Sequence, residues 1–177
     1  KGLLRFTGGF NENRTKVLHV DPTPPQLAAV ASALFDRVER ARLEEGQPRR
    51  RLSLTSTYDV NRLGVMLHTS RYGKIVSRAP NPAQDQVFQA KWITDMSVSY
   101  KLTSQLSLAL SGTNIFDVYP DTNITANQTR GIYLYSGLTP FGFNGAFWSV
   151  RASYQYERLP FMSRRKSASA PRKADEE

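Results

Sequence analysis

His19 and His68 are the chain's two histidines, and it has no cysteine. Neither imidazole has a partner at a metal-ligand spacing such as H-x-x-x-H or H-E-x-x-H, so both are read as solvent-facing side chains. Without cysteine there is no disulfide, no thiolate metal site and no sulfur nucleophile. No G-x-S-x-G elbow, phosphate-cradling loop or dinucleotide fingerprint occurs. Gly8-Gly9 and the glycines between 142 and 145 sit in strand contexts, where glycine marks a bulge or a close backbone approach. Glu44-Glu45 falls on a surface helix, which leaves acid-base catalysis without a candidate pair. The expectation is a protein that is not an enzyme and holds neither metal nor cofactor.

Binding has better material. Asn123, Asn127, Gln128, Arg130, Tyr133 and Tyr135 gather amides, a guanidinium and two phenol rings within one linker, and are the candidate ligand-binding residues. The competing reading of that linker is a structured loop with no specific ligand contact. The formal charge of +9 raises nucleic acid as a partner, but its placement argues against it: the cations do not interleave with aromatics on one strand face, and no single-strand-binding motif is present. Arg49, Arg50 and Arg51 form the one tight cluster, expected at a solvated loop end. No nucleic acid is expected as a partner.

The elements that must position these residues announce themselves by period. From Trp92 to Leu102 the even positions are mostly apolar, with Thr94 among them. Lys91, Asp95, Ser97, Ser99 and Lys101 take the odd ones, and Ile93 is the exception. After a break at Thr103, Ser104 and Gln105, Leu106, Leu108 and Leu110 alternate with Ser107, Ala109 and Ser111, which makes an antiparallel hairpin. Upstream, Leu52, Leu54 and Tyr58 alternate with Ser53, Thr55, Thr57 and Asp59, then turn near 60 into Leu63, Val65 and Leu67. Leu4, Phe6 and Phe10 open the chain in the same manner, and Trp148, Val150, Ala152, Tyr154 and Tyr156 close the pattern. Six strands are expected, near residues 3–16, 50–59, 62–73, 89–102, 105–117 and 142–156.

Two short turns alternate with three long linkers, residues 17–49, 74–88 and 118–141. An up-and-down sheet of this kind has its tight turns at one end and its long loops at the other, the habit of outer-membrane barrels. The first linker carries an expected helix over residues 24–45, with Leu27, Val30, Ala31, Leu34 and Val38 on one stripe, a Pro start and a Gly46 stop.

Alternation alone fits a soluble sheet with one buried face as well as a membrane strand with one lipid face. Three features favour the membrane. Several expected strands reach the roughly 9 to 11 tilted residues that cross an outer membrane. Tyr58, Trp92, Tyr100, Trp148, Tyr154 and Tyr156 sit near strand ends on the apolar face, as a membrane girdle would. The opposite face is built of Ser, Thr, Gly, Asp and Lys, which would suit a wet lumen.

Residues 100–120, YKLTSQLSLALSGTNIFDVYP, resemble the penultimate hairpin of TonB-dependent outer-membrane receptors, where a strand runs into an Asn-Leu-Phe-Asp-like motif followed by Tyr-Pro. Residues 139–156, TPFGFNGAFWSVRASYQY, look like that family's last strand with its Pro-Phe-Gly lead-in and terminal aromatic. The RYG of Arg71 to Gly73 is similar as well. The resemblance spans residues 1–156 and implies an all-β fold: an antiparallel, up-and-down transmembrane β-barrel fragment of about six strands, with one helix in an external loop. It also implies residence in the bacterial outer membrane, contact with its lipid, and active import of a scarce solute such as a metal chelate, vitamin or glycan. The plug and remaining strands would lie upstream, and the TonB complex would act through that plug. The first residues already alternate like a strand, with no export segment before them, so a missing N-terminal portion is expected. The family pattern stops at the terminal aromatic, whereas residues 157–177 continue as a polar tail expected to be disordered. The alternative is a soluble antiparallel β-domain that binds a ligand or partner.

Overall fold

The structure is a computed structural model and describes residues 1–156; the expected disordered tail, residues 157–177, lies outside the described residues. Its main body is a six-stranded antiparallel sheet. In chain order the strands are β1 (Gly2–Glu12), β2 (Arg50–Val60), β3 (Leu63–Tyr72), β4 (Ile75–Ser77), β5 (Gln86–Phe88), β6 (Lys91–Lys101), β7 (Leu106–Thr113) and β8 (Phe147–Tyr154). The large sheet is ordered β1-β2-β3-β6-β7-β8, an up-and-down path broken only by the separate β4–β5 hairpin. Among the described residues the sheet is open: β1 pairs only with β2, and β8 only with β7.

Both tight turns are where the alternation breaks. Asn61 takes the left-handed conformation (φ 51°) in the two-residue turn between β2 and β3, a region that asparagine tolerates. Between β6 and β7, the Thr103 hydroxyl accepts from the backbone N–H of Gln105 (3.1 Å) and Leu106 (2.9 Å). That is a local hydroxyl turn, available because threonine follows the last apolar residue.

Register turns six separate alternations into two faces. Leu4 stands opposite Tyr58, Tyr58 opposite Val65, Val65 opposite Val98, Val98 opposite Leu110, and Leu110 opposite Val150. Opposed residues in an antiparallel pair point to the same side, so this row crosses the whole sheet on one apolar face. Phe6, Leu67, Met96 and Trp148 belong to the next row on that face. The other face is polar and bonded within itself. Thr55 Oγ1 lies 2.8 Å from His68 Nδ1, His68 Nε2 lies 3.1 Å from Ser70 Oγ, and the Ser97 and Ser111 hydroxyls meet at 3.1 Å.

The apolar face is not covered by the described chain. Leu108 is 39% exposed and Val150 76%, while Val65, Met96 and Val98 in the middle strands are half-buried by their neighbours. The buried apolar residues among those described, Ala41, Ile75, Ala79 and Phe88, all lie in the loop end instead.

Four expectations need correction. The expected helix over residues 24–45 is broken. A 3-10 turn (Pro25–Val30) leads into α1 (Ala31–Leu34), the chain bends at Phe35, and α2 (Arg37–Glu44) begins afresh. Asp36 causes the restart: its carboxylate accepts from the N–H groups of Val38 (2.8 Å) and Glu39 (2.9 Å), a side-chain N-cap that only a helix start can use. Leu27, Val30 and Leu34 are exposed, so the apolar stripe finds no common surface. The first strand stops at Glu12 rather than near residue 16. The fifth stops at Thr113 because Asn114 and Asp117 turn left-handed (φ 50° and 53°). The last begins at Phe147, after Gly145 at φ 72°.

Candidate functional site

At the loop end, the three linkers are tied into one cap by side chains far apart in sequence. Asp85, just before β5, takes two bonds from the Arg37 guanidinium of α2 (2.9 and 2.8 Å), one from Arg78 (2.9 Å) and one from the Ala79 N–H (3.0 Å). Arg37 also bonds the Ala79 carbonyl. Arg78 reaches Glu45 at 2.9 Å, closing a chain of charges from the helix to the β4–β5 hairpin. The Arg37 bond, the Ala79 N–H and Arg78 hold the Asp85 carboxyl well below the usual carboxylate range. Fork-shaped guanidinium contacts of this kind fix direction as well as charge.

A second set of bonds joins the hairpin to the third linker. Gln86 donates to the Thr122 carbonyl (2.6 Å) and accepts from the Ile124 N–H (3.0 Å). Asp121 accepts from the Gln89 N–H (2.6 Å) and pairs with Lys91 (2.7 Å). Burial works against the Asp121 carboxylate, yet Lys91 and the Gln89 N–H together keep its pKa lowered.

The sheet end is anchored by the Asn-Ile-Phe-Asp segment. Asn114 donates its backbone N–H to Asp95 (2.8 Å), its amide donates to the Val118 carbonyl (2.8 Å), and its amide oxygen accepts from the Val118 N–H (3.0 Å). Three residues on, the Asp117 carboxylate accepts from the Ala146 N–H at 2.8 Å and so fixes the start of β8. The same carboxylate raises the pKa of the Tyr119 phenol, mainly by its charge. A side chain at Gly145 would collide with Tyr119 and Asp117.

Between α2, the β4–β5 hairpin and the third linker lies an open cleft of about 670 Å³. Four of the six residues expected to bind ligand line it: Asn123, Asn127, Tyr133 and Tyr135. Gln128 and Arg130 do not. The amides have structural work as well. Asn123 donates to the Tyr133 carbonyl (2.8 Å), Asn127 to the Gln84 carbonyl (2.9 Å), and Gln128 to the Asn123 carbonyl (2.7 Å). Tyr135 is the middle ring of a stack, 6.1 Å from Tyr119 and 5.8 Å from Phe143. Tyr133 is exposed. Arg42, Arg78 and Ser136 also line the cleft. They come from three separate segments, and no local spacing in the sequence brings them together. What the cleft offers is hydrogen-bond donors and aromatic rings, since its two guanidinium groups are already paired, Arg42 with Glu39 (2.6 Å) and Arg78 with Glu45 and Asp85 (2.9 Å each).

The girdle candidates all lie toward strand ends. Tyr58, Trp92, Tyr100, Trp148 and Tyr154 share the apolar face by register and are exposed. Tyr156 follows β8 and packs edge-on to Tyr154 with centroids 4.9 Å apart. Of the two histidines, His68 belongs to the polar face, and exposed His19 lies 3.2 Å from Asp21. Among the described residues no group of three or more His, Asp or Glu side chains is placed to hold a metal ion.

No protein-family model matches the chain, and no curated protein matches it. Among solved structures, a chain from the "Structure of the FpvAI-pyocin S2 complex" is similar, with a TM-score of 0.46 and 22% identity over 62% of this chain. This chain spans 14% of that chain's length. A likeness of that size transfers neither ligand nor partner.

Proposed function

We propose that this chain is part of the wall of an outer-membrane β-barrel transporter of the TonB-dependent kind, with its apolar face against lipid and its loop cap contributing to the capture of an external solute. The observation that carries this is the apolar face itself, continuous through six registered strands, each of which has at least one exposed apolar side chain on it. A soluble sheet would need a second layer over that face. Lipid supplies that cover without one. The strands of 8 to 11 residues are of the length that tilted membrane strands need, about 9 to 11 residues. The ordered motifs at residues 71–73, 100–120 and 139–156 support the receptor reading.

On this reading the remaining strands complete the barrel and a plug upstream couples it to the TonB complex. The chain holds solute rather than transforming it, and no catalytic turnover is expected. The solute is polar, to suit the amides and the tyrosines of the cleft. Fractionation of cells producing the chain with its natural upstream region tests the assignment. Recovery in the outer membrane, resistant to carbonate extraction and with heat-modifiable gel mobility, is expected; recovery in the soluble fraction would overturn it.

A further inference from the structure

A second cleft of about 670 Å³ lies at the loop end and is lined by six cations, Arg14, Arg49, Arg50, Arg71, Lys74 and Arg78. Only two carboxylates line it, Glu12 and Glu45, and each is already occupied, Glu12 by Arg50 at 3.2 Å and Glu45 by Arg78 at 2.9 Å. Arg14, Arg49, Arg71 and Lys74 form no ion pair among the described residues. Four uncompensated cations around one concavity form a site for an anion of more than one charge.

Register says which side this cleft is on. Glu12 pairs with Arg50 in the rows that carry Phe10 and Leu52, and Arg71 stands directly between Leu52 and Trp92. The three residues of the large sheet that line the cleft therefore lie on its apolar face, at the loop end, and Val76 and Val87 of the β4–β5 hairpin add to the lining. Arg51 and Tyr72, their neighbours on the polar face, stack on each other at 4.8 Å and take no part in the lining. The Arg49-Arg50-Arg51 cluster lies at an exposed loop end, as expected, with Arg49 in the linker and Arg50 opening β2; strand alternation then sends Arg50 and Arg51 to opposite sides of the sheet. Phe10, Leu52 and Trp92 share the row of Arg71, the next on that face after the row of Arg50. An apolar belt capped by unpaired cations matches a lipid whose chains lie along the belt and whose phosphate reaches the guanidinium groups.

We propose that Arg14, Arg49, Arg71 and Lys74 form a binding site for the phosphate of a lipid headgroup in the leaflet nearest the loops. This rests on the membrane reading above, because it requires the apolar face to be in lipid. The four cations do not line the solute cleft, although the two clefts share Val76 and Arg78 as a common wall. A guanidinium pair can bind a phosphate through several N–H groups at once, which makes phosphate rather than a carboxylate lipid the expected partner.

Flotation of the chain with vesicles of neutral phosphatidylcholine, with or without phosphatidic acid, separates the two claims. Binding to neutral vesicles reports the apolar face, and the gain from phosphatidic acid reports the site. A gain of about tenfold or more is expected, given the contribution of each cation near an anionic surface. Replacing Arg14, Arg49, Arg71 and Lys74 together by Gln should abolish the gain and leave neutral binding intact. Replacing Lys1, Arg62, Lys101 and Arg151 by Gln removes the same charge from the turn end and the polar face, and should keep the gain. Equal loss in both variants, or no gain in the parent chain, would overturn the site while leaving the membrane reading standing. Full reversal by inorganic phosphate would show that the cleft takes the free ion, which contradicts the lipid assignment. Failure to float with neutral vesicles would remove the membrane reading and the proposal with it.

Discussion

Ala109 of β7 stands directly opposite Arg151 of β8, on the polar side of a sheet whose adjacent residue pair, Leu108 and Ala152, belongs to the apolar side. Neighbours in sequence therefore face opposite sides of the sheet, which on the proposed reading are lipid and lumen. An Arg on the lipid side near the midplane of a barrel costs about 2 to 4 kcal/mol, while one on the lumen side is tolerated. Leu108→Arg should impair assembly, read as loss of heat-modifiable mobility, and Ser97→Arg should not. Ala109→Arg is expected to fall between them, because it would meet the like charge of Arg151 across the strand pair.

Asn114 is a buried polar residue held by three bonds and by a left-handed backbone. Asn114→Ala loses both side-chain bonds and keeps the unfavourable φ, so a cost of about 1 to 3 kcal/mol is expected. Asn114→Gly should cost less, since glycine relieves the backbone. Denaturant midpoints of the detergent-folded chain would rank them; equal behaviour of the two variants would mean that backbone conformation contributes nothing there.

The tie between α2 and the hairpin should survive mild acid. Asp85 has its pKa depressed by Arg37, the Ala79 N–H and Arg78, so its contribution is complete above the unfolded value of about 4 and is lost as pH falls through the depressed folded value. Amide-exchange protection of residues 37–45 and 75–88, corrected for intrinsic rates, should stay level from neutral pH down to about 5 and decline only below about 4. Asp85→Asn should lower that protection at neutral pH and flatten its acid dependence.

Every residue of β1 and β8 is exposed, and among the described residues each strand has one edge without a backbone partner. Unpaired N–H and C=O groups are costly in lipid, several kcal/mol each. The isolated 177-residue chain in detergent should therefore associate through these edges. Sedimentation should show more than one copy per particle, and a stable monomer would contradict the open-sheet account.

The six long strands were legible because one face is so consistently apolar that a period of two survives without knowledge of their partners. Their ends were harder to read. Ile115 and Phe116 prolong the apolar pattern past Thr113, whereas the backbone at Asn114 has already turned. The β4–β5 hairpin, with three residues in each strand, is too short to display a period. Asp36 did carry a helix-start signal, but the stripe from Leu27 to Val38 ran through it and concealed the break. The loop cap depends on pairs such as Arg37 with Asp85 and Arg78 with Glu45, which only the fold brings together. Asn123, Asn127, Tyr133 and Tyr135 could be picked out because amides and rings clustered in one linker; Arg42 and Arg78, on other segments, could not.

The chain has no cysteine, so a single cysteine introduced at Val98 or at Ser97 carries a spin label without background. The central claim is that the Val98 side of the sheet meets lipid and the Ser97 side meets water. With the barrel assembled in neutral bilayers, the Val98→Cys label should collide preferentially with oxygen, which concentrates in the hydrocarbon, and the Ser97→Cys label with a water-soluble nickel chelate. Equal access of both labels to the chelate would show that these strands do not lie in a membrane, and a reversed preference would show that the apolar face has been assigned to the wrong side.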